Sequence, residues 1–288
     1  MVKEYYRLAK PGIVYGNLLT TLAAYLFASR WQLVTSAIWI NFLATMFGLG
    51  FVIASACVFN NYIDRDIDQK MARTQDRALV SGAISNTMAL LYGAILALIG
   101  FALLVCFVNI LTTIIALIGI IVYVFAYTFS KRKTEWATEI GSIAGAVPIV
   151  VGYTAYTNNF DWTAVILFLI LALWQMPHFY SIALHRFDEY AAAGIPVLPL
   201  KRGTWETKVR ILLYIFAFGV AGFALAYFGY AGFAYLVVVE IAAIVWFWLG
   251  TGGFSAEDGV QWARKLFFSS LFVLVIFCVM LSVATLLP

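Results

Sequence analysis

Long apolar stretches alternate with short polar segments along nearly the whole chain. Nine of them are close to the 20 or so residues that a helix needs to cross the hydrocarbon core of a bilayer. They cover residues 13–29, 36–58, 87–107, 110–129, 138–157, 162–184, 211–228, 231–250 and 266–286. The gaps after 107 and 228 hold only two residues each, so the stretches that flank them are predicted to form tight hairpins.

The composition supports a membrane environment. Of the 288 residues 64% are hydrophobic and 11% charged, and the mean hydropathy is +0.94, which lies outside the range of soluble globular chains. Irregular backbone cannot face lipid because its N–H and C=O groups would lack partners. We therefore expect an all-α, polytopic membrane bundle of about nine transmembrane helices, with residues 1–288 forming a single transmembrane domain.

Charged residues are confined almost entirely to one set of loops. With nine spans, the N-terminus shares one side with the loops near 59–86, 130–137, 185–210 and 251–265, and this side holds every Lys and Arg except Arg30. Short loops rich in these residues stay in the cytoplasm, so the N-terminus is predicted to be cytoplasmic. Most acidic residues lie on the same side. Because acids contribute little to orientation, they need another explanation.

The densest polar segment follows the second span. Asn60, Asp64 and Asp68 are spaced four apart, so on a helix they point to one side. Carboxylate and amide oxygens suit Mg²⁺, which often shares its coordination sphere with substrate phosphates. The alternative is a solvated helix end held by salt bridges, and for Asp66, which lies off this stripe, we favour that alternative.

Two basic sets could complete a phosphate site. Arg73 and Arg77 follow the acidic stripe at the same four-residue spacing, and guanidinium groups match phosphate oxygens well. After the fourth span, Tyr127 and Lys131 share a helix face, and Arg132 follows directly. The simpler interpretation of this second set is a basic stop signal at the end of a span.

A third set surrounds the end of the sixth span. Pro177 is expected to kink or break the helix and to free backbone carbonyls beside His178. Broken helices in membranes usually line a cavity. A lone histidine there is more often a satisfied core residue than a ligand, although ionisable groups within the membrane favour function. On the following loop, His185 and Glu189 are spaced four apart.

These motifs resemble the UbiA superfamily of intramembrane prenyltransferases, and the similarity runs nearly end to end. The superfamily carries an Asn-x3-Asp-x3-Asp motif after the second helix, matched by residues 60–68, and a Tyr-x3-Lys motif, matched by residues 127–131. Residues 10–13, 174–179 and 194–199, with the run from Cys57 through Arg77, resemble the members that alkylate heme.

The resemblance implies transfer of a farnesyl group from farnesyl diphosphate to the 2-vinyl group of heme b, giving heme O and diphosphate. Heme b is then a substrate and Mg²⁺ the cofactor. The implied catalytic residues are Asp64, Asp68, Tyr127 and Lys131. The implied metal ligands are Asn60, Asp64, Asp68 and Glu189; the diphosphate ligands are Arg73, Arg77, Lys131 and Arg132; and the heme contacts are His178 and, through the propionates, Lys10.

One departure from the superfamily pattern concerns the later loop. Many members carry a second Asp-x3-Asp motif there, but in this chain Leu184 stands four positions before Asp188. Of the two acidic residues, we favour Glu189 as a further metal ligand. Prenyl chain length is expected to depend on cavity depth, with a phenylalanine of the cavity wall as the limit.

Three alternatives stay open at this point: a related enzyme with a quinone-type aromatic acceptor, a transporter, and a heme-binding subunit. A transporter would need polar residues through several spans, and few besides Glu240 lie that deep. The expected partners are the two substrates, the lipid bilayer and a downstream heme-using oxidase or heme-modifying enzyme, but no nucleic acid. The sequence shows no transit peptide, which favours a bacterial inner membrane with the active site toward the cytoplasm.

Overall fold

The protein is a multi-pass α-helical membrane protein. A computed structural model describes residues 1–71 and 74–287. Within these ranges nine helices are long and apolar enough to cross a membrane, and no strand is present. The predicted fold class and number of spans are therefore confirmed.

The nine candidate spans are accompanied by two short helices, α1 and α8. In chain order the helices of the described ranges are α1 (Val2–Leu8), α2 (Pro11–Ser29), α3 (Ser36–Asp68), α4 (Asn86–Phe107), α5 (Ile110–Ser130), α6 (Ala137–Thr157), α7 (Trp162–His185), α8 (Phe187–Ala192), α9 (Leu198–Tyr227), α10 (Phe233–Thr251) and α11 (Gly259–Val283). The two predicted hairpins are present, since α4 joins α5, and α9 joins α10, through short turns.

Helix α7 lies at the centre of the bundle. It packs against α6, α9 and α11, while α2 closes the ring by contacting both α6 and α11, and α3 packs mainly against α4. The largest apolar core forms where these helices meet, and Leu167 and Ile170 of α7 are fully buried in it together with Ile149 of α6. Tightly packed helices can hold side chains from several of them at fixed positions.

Alternation of the helix directions brings the polar ends together. The C-terminal ends of α3 and α5 meet the start of α2, which is shown by contacts from Lys131 to Asp64 and from Lys10 to Asn60. Residues His178 and Ala183, near the C-terminal end of α7, line the same cavity as Lys131. The acidic stripe, the Tyr-x3-Lys motif and the third polar set therefore share one end of the bundle.

Two helices are longer than the apolar pattern predicts. Helix α3 continues ten residues past the predicted end at 58, because the polar side chains of its last turns find partners in neighbouring segments instead of needing solvent. Helix α9 begins at Leu198 rather than near 211, and its first turns are interrupted at Gly203, whose φ of 85° is readily adopted only by glycine.

Pro177 was expected to kink or break the helix, and the expectation of a break is wrong. Helix α7 runs through Pro177 to His185, and the proline is buried. Proline removes only one backbone hydrogen bond, and in a membrane bundle the surrounding helices stabilise the helix on both sides of it. The polar residues beyond Pro177 therefore lie on a continuous helix.

Candidate active site

The acidic stripe is a buried surface at the end of α3. Asn60, Asp64 and Asp68 are 3%, 1% and 3% exposed, whereas Asp66 points away from them and forms an ion pair of 2.7 Å with Arg132. The helical spacing explains both placements, since positions four apart share a face and Asp66 does not. The predicted salt-bridge role of Asp66 is confirmed.

Asp64 connects the acidic stripe to the Tyr-x3-Lys motif. Its Oδ2 atom accepts hydrogen bonds from Lys131 Nζ at 2.9 Å and from Asn60 Nδ2 at 3.0 Å. Its Oδ1 atom is buried and has no hydrogen-bond partner among the described residues, although Arg132 Nη2 lies 3.6 Å away. A buried carboxylate oxygen without a hydrogen-bond partner is available to a cation.

Asp68 is paired with the other basic set. Arg77 Nη1 donates to Asp68 Oδ2 at 2.6 Å and to Asn61 Oδ1 at 3.0 Å. The hydroxyl of Thr74 donates to the backbone carbonyl of Asp68 and so ties the following turn to the helix end. Arg73, the other predicted diphosphate ligand, lies outside the described residues.

Lys10 reaches the same cluster from the start of α2. Its Nζ donates to Asn60 Oδ1 at 2.6 Å, and burial lowers the pKa of this ammonium to about 8. The backbone of Lys10 is left-handed, with φ of 50°, a strained conformation for a residue other than glycine. Lys10 was expected at the heme propionates, whereas in the structure it lies against the acidic stripe.

The Tyr-x3-Lys motif begins at the end of an unusual segment of α5. Residues Val122–Tyr127 are π-helical, a conformation that is frequent at functional sites. The Tyr123 and Tyr127 rings stack with centroids 5.4 Å apart. Thr128 donates to the Tyr123 carbonyl at 2.9 Å and accepts from Asn60 Nδ2 at 3.0 Å, which couples this segment to the acidic stripe.

Thr128 and the π-helical segment are features that sequence reasoning missed. A π-helical turn leaves no hydrophobic pattern that differs clearly from that of an α-helix. The four-residue interval between Tyr123 and Tyr127 was visible in the sequence, but it is equally typical of an ordinary helix face.

A cavity of about 430 Å³ opens beside these motifs and extends into the bundle, a volume within the range of small-molecule sites. Its polar end is lined by Tyr127 and Lys131, and its deeper walls are mostly aliphatic. The deeper wall residues include Leu49, Val52, Ala116, Leu171 and Leu274. Another wall carries Trp174 and His178, so one cavity brings the second and third polar sets together.

The ring of His178 is held in a defined orientation. Its Nδ1 atom lies 2.7 Å from Ser270 Oγ, and that hydroxyl donates its own hydrogen to the Phe267 carbonyl. Ser270 Oγ must then accept from Nδ1–H, which leaves the lone pair on Nε2 of a neutral imidazole. Trp174 stacks on His178 at 4.9 Å and donates from Nε1 to the Ser270 carbonyl.

The loop after α7 closes over the end of α3. Ile195 packs with Ile67 and Met71, which flank Asp68, and residues 195–197 line the cavity. Glu189 lies on the short helix α8 and is 3.7 Å from Arg186. Its Oε2 atom is buried without a hydrogen-bond partner in the described ranges.

The residues present fit a magnesium ion. The described residues contain no cluster of three His, Cys, Asp or Glu side chains arranged to hold a metal, but Asn60, Asp64 and Asp68 offer hard oxygen atoms on one face. Mg²⁺ is usually bound by one or two carboxylates plus water and phosphate oxygens. The unpartnered Oδ1 of Asp64 is the atom that such an ion would satisfy.

Comparison with known proteins gives consistent results. Residues 17–272 match the sequence model of the UbiA prenyltransferase family. The chain is 47% identical over 290 residues to the protoheme IX farnesyltransferase of Sodalis glossinidius, an alignment that covers 100% of this chain and 96% of that protein. It is also 47% identical to protoheme IX farnesyltransferase 2 of Pseudomonas fluorescens, with 98% and 95% of the two chains covered.

Solved structures show the same fold. A structure of digeranylgeranylglyceryl phosphate synthase superposes with a TM-score of 0.81 at 21% identity and covers 98% of each chain. A UbiA homolog from Archaeoglobus fulgidus bound to GPP and Mg²⁺ superposes with a TM-score of 0.68 at 16% identity, covering 97% of this chain and 99% of that one. These identities are low, so the likeness concerns the fold.

Proposed function

The chain belongs to the UbiA prenyltransferase family, and on that basis we propose that it transfers the farnesyl group of farnesyl diphosphate to the 2-vinyl group of heme b, giving heme O and diphosphate. The observation that carries this proposal is the full-length identity of 47% to a protoheme IX farnesyltransferase. The cavity is consistent with it, because it joins Lys131 at the polar end to the Trp174 and His178 wall.

We assign Mg²⁺ to Asn60, Asp64 and Asp68, with Glu189 as a further ligand on the opposing loop. When bound, the metal neutralises negative charge that develops on the leaving diphosphate. The Archaeoglobus homolog was solved with GPP and Mg²⁺, which supports this assignment by analogy of fold. Because Asp64 and Asp68 are buried, their attraction for a dication is screened less than it would be at the surface.

Lys131, Arg77 and Lys10 are the groups that would face the diphosphate. In the structure they are bonded to Asp64, Asp68 and Asn60, so they are already held at the acidic stripe. A unit charge pair 4 Å apart is worth about 4 kcal/mol at an effective dielectric constant of 20. Arg132 and Arg73 remain proposed ligands; Arg132 is bonded mainly to Asp66.

The stacked Tyr123 and Tyr127 rings line the cavity next to Lys131. Departure of the diphosphate leaves an allylic cation, and each aromatic face can stabilise a cation by roughly 0.5 to 2 kcal/mol. Tyr127 is therefore assigned to the reacting end of the prenyl chain, which would extend toward the aliphatic walls.

The opposite wall suits a planar, hydrophobic acceptor. Trp174 presents a large aromatic surface, and His178 keeps a free lone pair on Nε2. Imidazole nitrogen is a common ligand of heme iron. We therefore place heme b against Trp174 and His178, with its vinyl group toward Tyr127.

The polar end of the bundle is proposed to face the cytoplasm. It collects the N-terminus and nearly all cations, which agrees with the preference of basic loops for that side. The protein would then work in a bacterial inner membrane, as a single transmembrane domain, and pass heme O to a heme-using oxidase or heme-modifying enzyme.

The decisive experiment is incubation of the purified protein in detergent with heme b, farnesyl diphosphate and Mg²⁺, with and without EDTA. Mass spectrometry of the extracted heme should show a farnesylated and hydrated product only in the sample without EDTA. A protein that binds heme but gives no product would require a different acceptor or donor, and product formed in EDTA would remove the metal assignment.

A further inference from the structure

Gln175 is a buried polar residue of α7 that the assignments above do not use. It is 5% exposed, lies one turn before His178 and lines the same cavity. Its side-chain Nε2 donates to the Ser142 carbonyl at 3.1 Å and to the Leu171 carbonyl at 3.0 Å. The amide group is therefore bonded to two different helices and cannot rotate freely.

These two bonds determine which way the amide points. Both amide hydrogens are used, so Nε2 must face the two carbonyls and Oε1 must point away from them. In the part of the chain that the structure describes, no group donates a hydrogen bond to Oε1. The oxygen lies over Gly145, another cavity-lining residue, and a Cβ atom at that position would be only 1.8 Å from it.

The glycine is what makes room for this oxygen. Any larger residue at 145 would displace the amide of Gln175 from its position on the cavity wall. The result is a fixed hydrogen-bond acceptor in a mostly aliphatic part of the cavity, next to the wall where we place heme. An acceptor on a cavity wall is normally satisfied by a bound group or by water.

We propose that Oε1 of Gln175 holds the water molecule that adds to the heme after farnesyl transfer. This inference rests on the proposed function. An acceptor is the right kind of group, because a water that donates to Oε1 keeps its own lone pairs free to attack. A donor at this position would occupy one of those lone pairs instead.

The carbon–oxygen bond of farnesyl diphosphate breaks with its electron pair on the diphosphate, and the π electrons of the vinyl group form the new carbon–carbon bond. The cation left on the vinyl carbon next to the porphyrin accepts a lone pair from the water held by Gln175. The water then loses one proton, which the released diphosphate accepts, and the hydroxyl group of heme O results.

Without a positioned water, the same cation can react in another way. It can lose a proton from the adjacent carbon and form an alkene, which gives a farnesylated heme one water lighter. Gln175 is thus a positioning residue that decides between hydration and elimination. Its removal should change the ratio of the two products more than the total amount of alkylated heme.

The test measures both products by mass spectrometry in the purified, full-length protein with heme b, farnesyl diphosphate and Mg²⁺. In Gln175→Leu we expect the ratio of dehydrated to hydrated product to rise at least tenfold, with total alkylation within about threefold of the wild type. Gly145→Ala should produce the same shift, because it displaces the amide without removing it.

Asn17→Leu is the matched control. Asn17 also lines the cavity, but a single bond from its Nδ2 to the Ile13 carbonyl holds it, and its removal should leave the product ratio unchanged. An unchanged ratio in both Gln175→Leu and Gly145→Ala, or a loss of total alkylation with no change of ratio, would overturn the inference while the proposed function stands. A wild-type protein that makes no alkylated heme would overturn both.

Discussion

Lys131 donates a hydrogen bond to Asp64 over 2.9 Å and so joins two motifs that lie 67 residues apart. Both groups lie largely out of solvent, and Asp64 is 1% exposed. Breaking a buried ion pair by removing one partner typically destabilises a protein by about 3 to 5 kcal/mol, because the other charge is left without compensation. The two motifs therefore depend on each other for stability as well as for catalysis.

The first prediction concerns the acidic stripe. Asp64→Asn and Asp68→Asn should each lower turnover at least a hundredfold, equivalent to about 2.7 kcal/mol of transition-state stabilisation, because each removes a charge that would hold the metal. Turnover of farnesyl diphosphate and heme b is measured at matched amounts of folded protein. Asp66→Asn is the control, since Asp66 is exposed and faces away. Near-normal turnover in either stripe variant would remove the metal hypothesis.

The second prediction separates two roles for Lys10. If Lys10 contacts the diphosphate, as its bond to Asn60 indicates, Lys10→Met should raise KM for farnesyl diphosphate at least tenfold and leave heme affinity unchanged. Steady-state kinetics and a heme titration measure the two quantities. Lys3→Met, at an exposed position, should change neither. Weaker heme binding with an unchanged KM would instead support the propionate contact expected from the sequence.

Sequence patterns predicted the helices well because hydrocarbon imposes a single rule on length and polarity. They underestimated the lengths of α3, whose last turns are polar, and of α9, whose first turns are polar. The apolar pattern stops where the polar residues begin, while the helix continues because these side chains bond to neighbouring helices. Asn60 illustrates this, since its partners Lys10 and Thr128 are distant in the chain.

The site was predictable where residues are close in sequence and not where they meet only in the fold. The four-residue spacing of Asp64 and Asp68 placed them on one face correctly. Nothing in the spacing of Lys10 shows that it reaches Asn60, and nothing in that of Gln175 shows that it lines the cavity, because both placements depend on how α2 and α7 pack against α3 and α6. Long-range packing of this kind has no local sequence signal.

The third prediction concerns the heme wall, the part of the cavity wall formed by Trp174 and His178. His178→Ala should weaken heme b binding and remove the part of the heme absorbance shift that reflects an imidazole ligand, because Nε2 is the only nitrogen of this ring left free by the bond to Ser270. Absorbance titration without farnesyl diphosphate is the measurement. His185→Ala is the matched control, since His185 also packs on Phe267. Identical spectra for His178→Ala and the wild type would place heme elsewhere.

The last prediction concerns prenyl chain length, which a phenylalanine in the cavity wall was expected to limit. Among the described residues Phe179 is the only phenylalanine that lines the cavity, near the heme wall, and the deeper lining is aliphatic. Leu49 lies eleven residues before Asn60 on α3, about 16 Å away along the helix at 1.5 Å per residue, and it is 2% exposed. Its side chain is therefore placed to meet the distal end of a farnesyl chain.

Leu49→Ala should let the enzyme accept geranylgeranyl diphosphate, because the smaller side chain enlarges the cavity at this wall. The ratio of kcat/KM values for geranylgeranyl and farnesyl diphosphate should rise at least tenfold. Leu225→Ala is the control: Leu225 is fully buried but does not line the cavity, so the variant should lose stability, by about 2 to 5 kcal/mol, without a change of preference. If Leu49→Ala kept the wild-type ratio, the end of the prenyl chain would lie somewhere other than Leu49. Chain length would then not be controlled by cavity depth at this position.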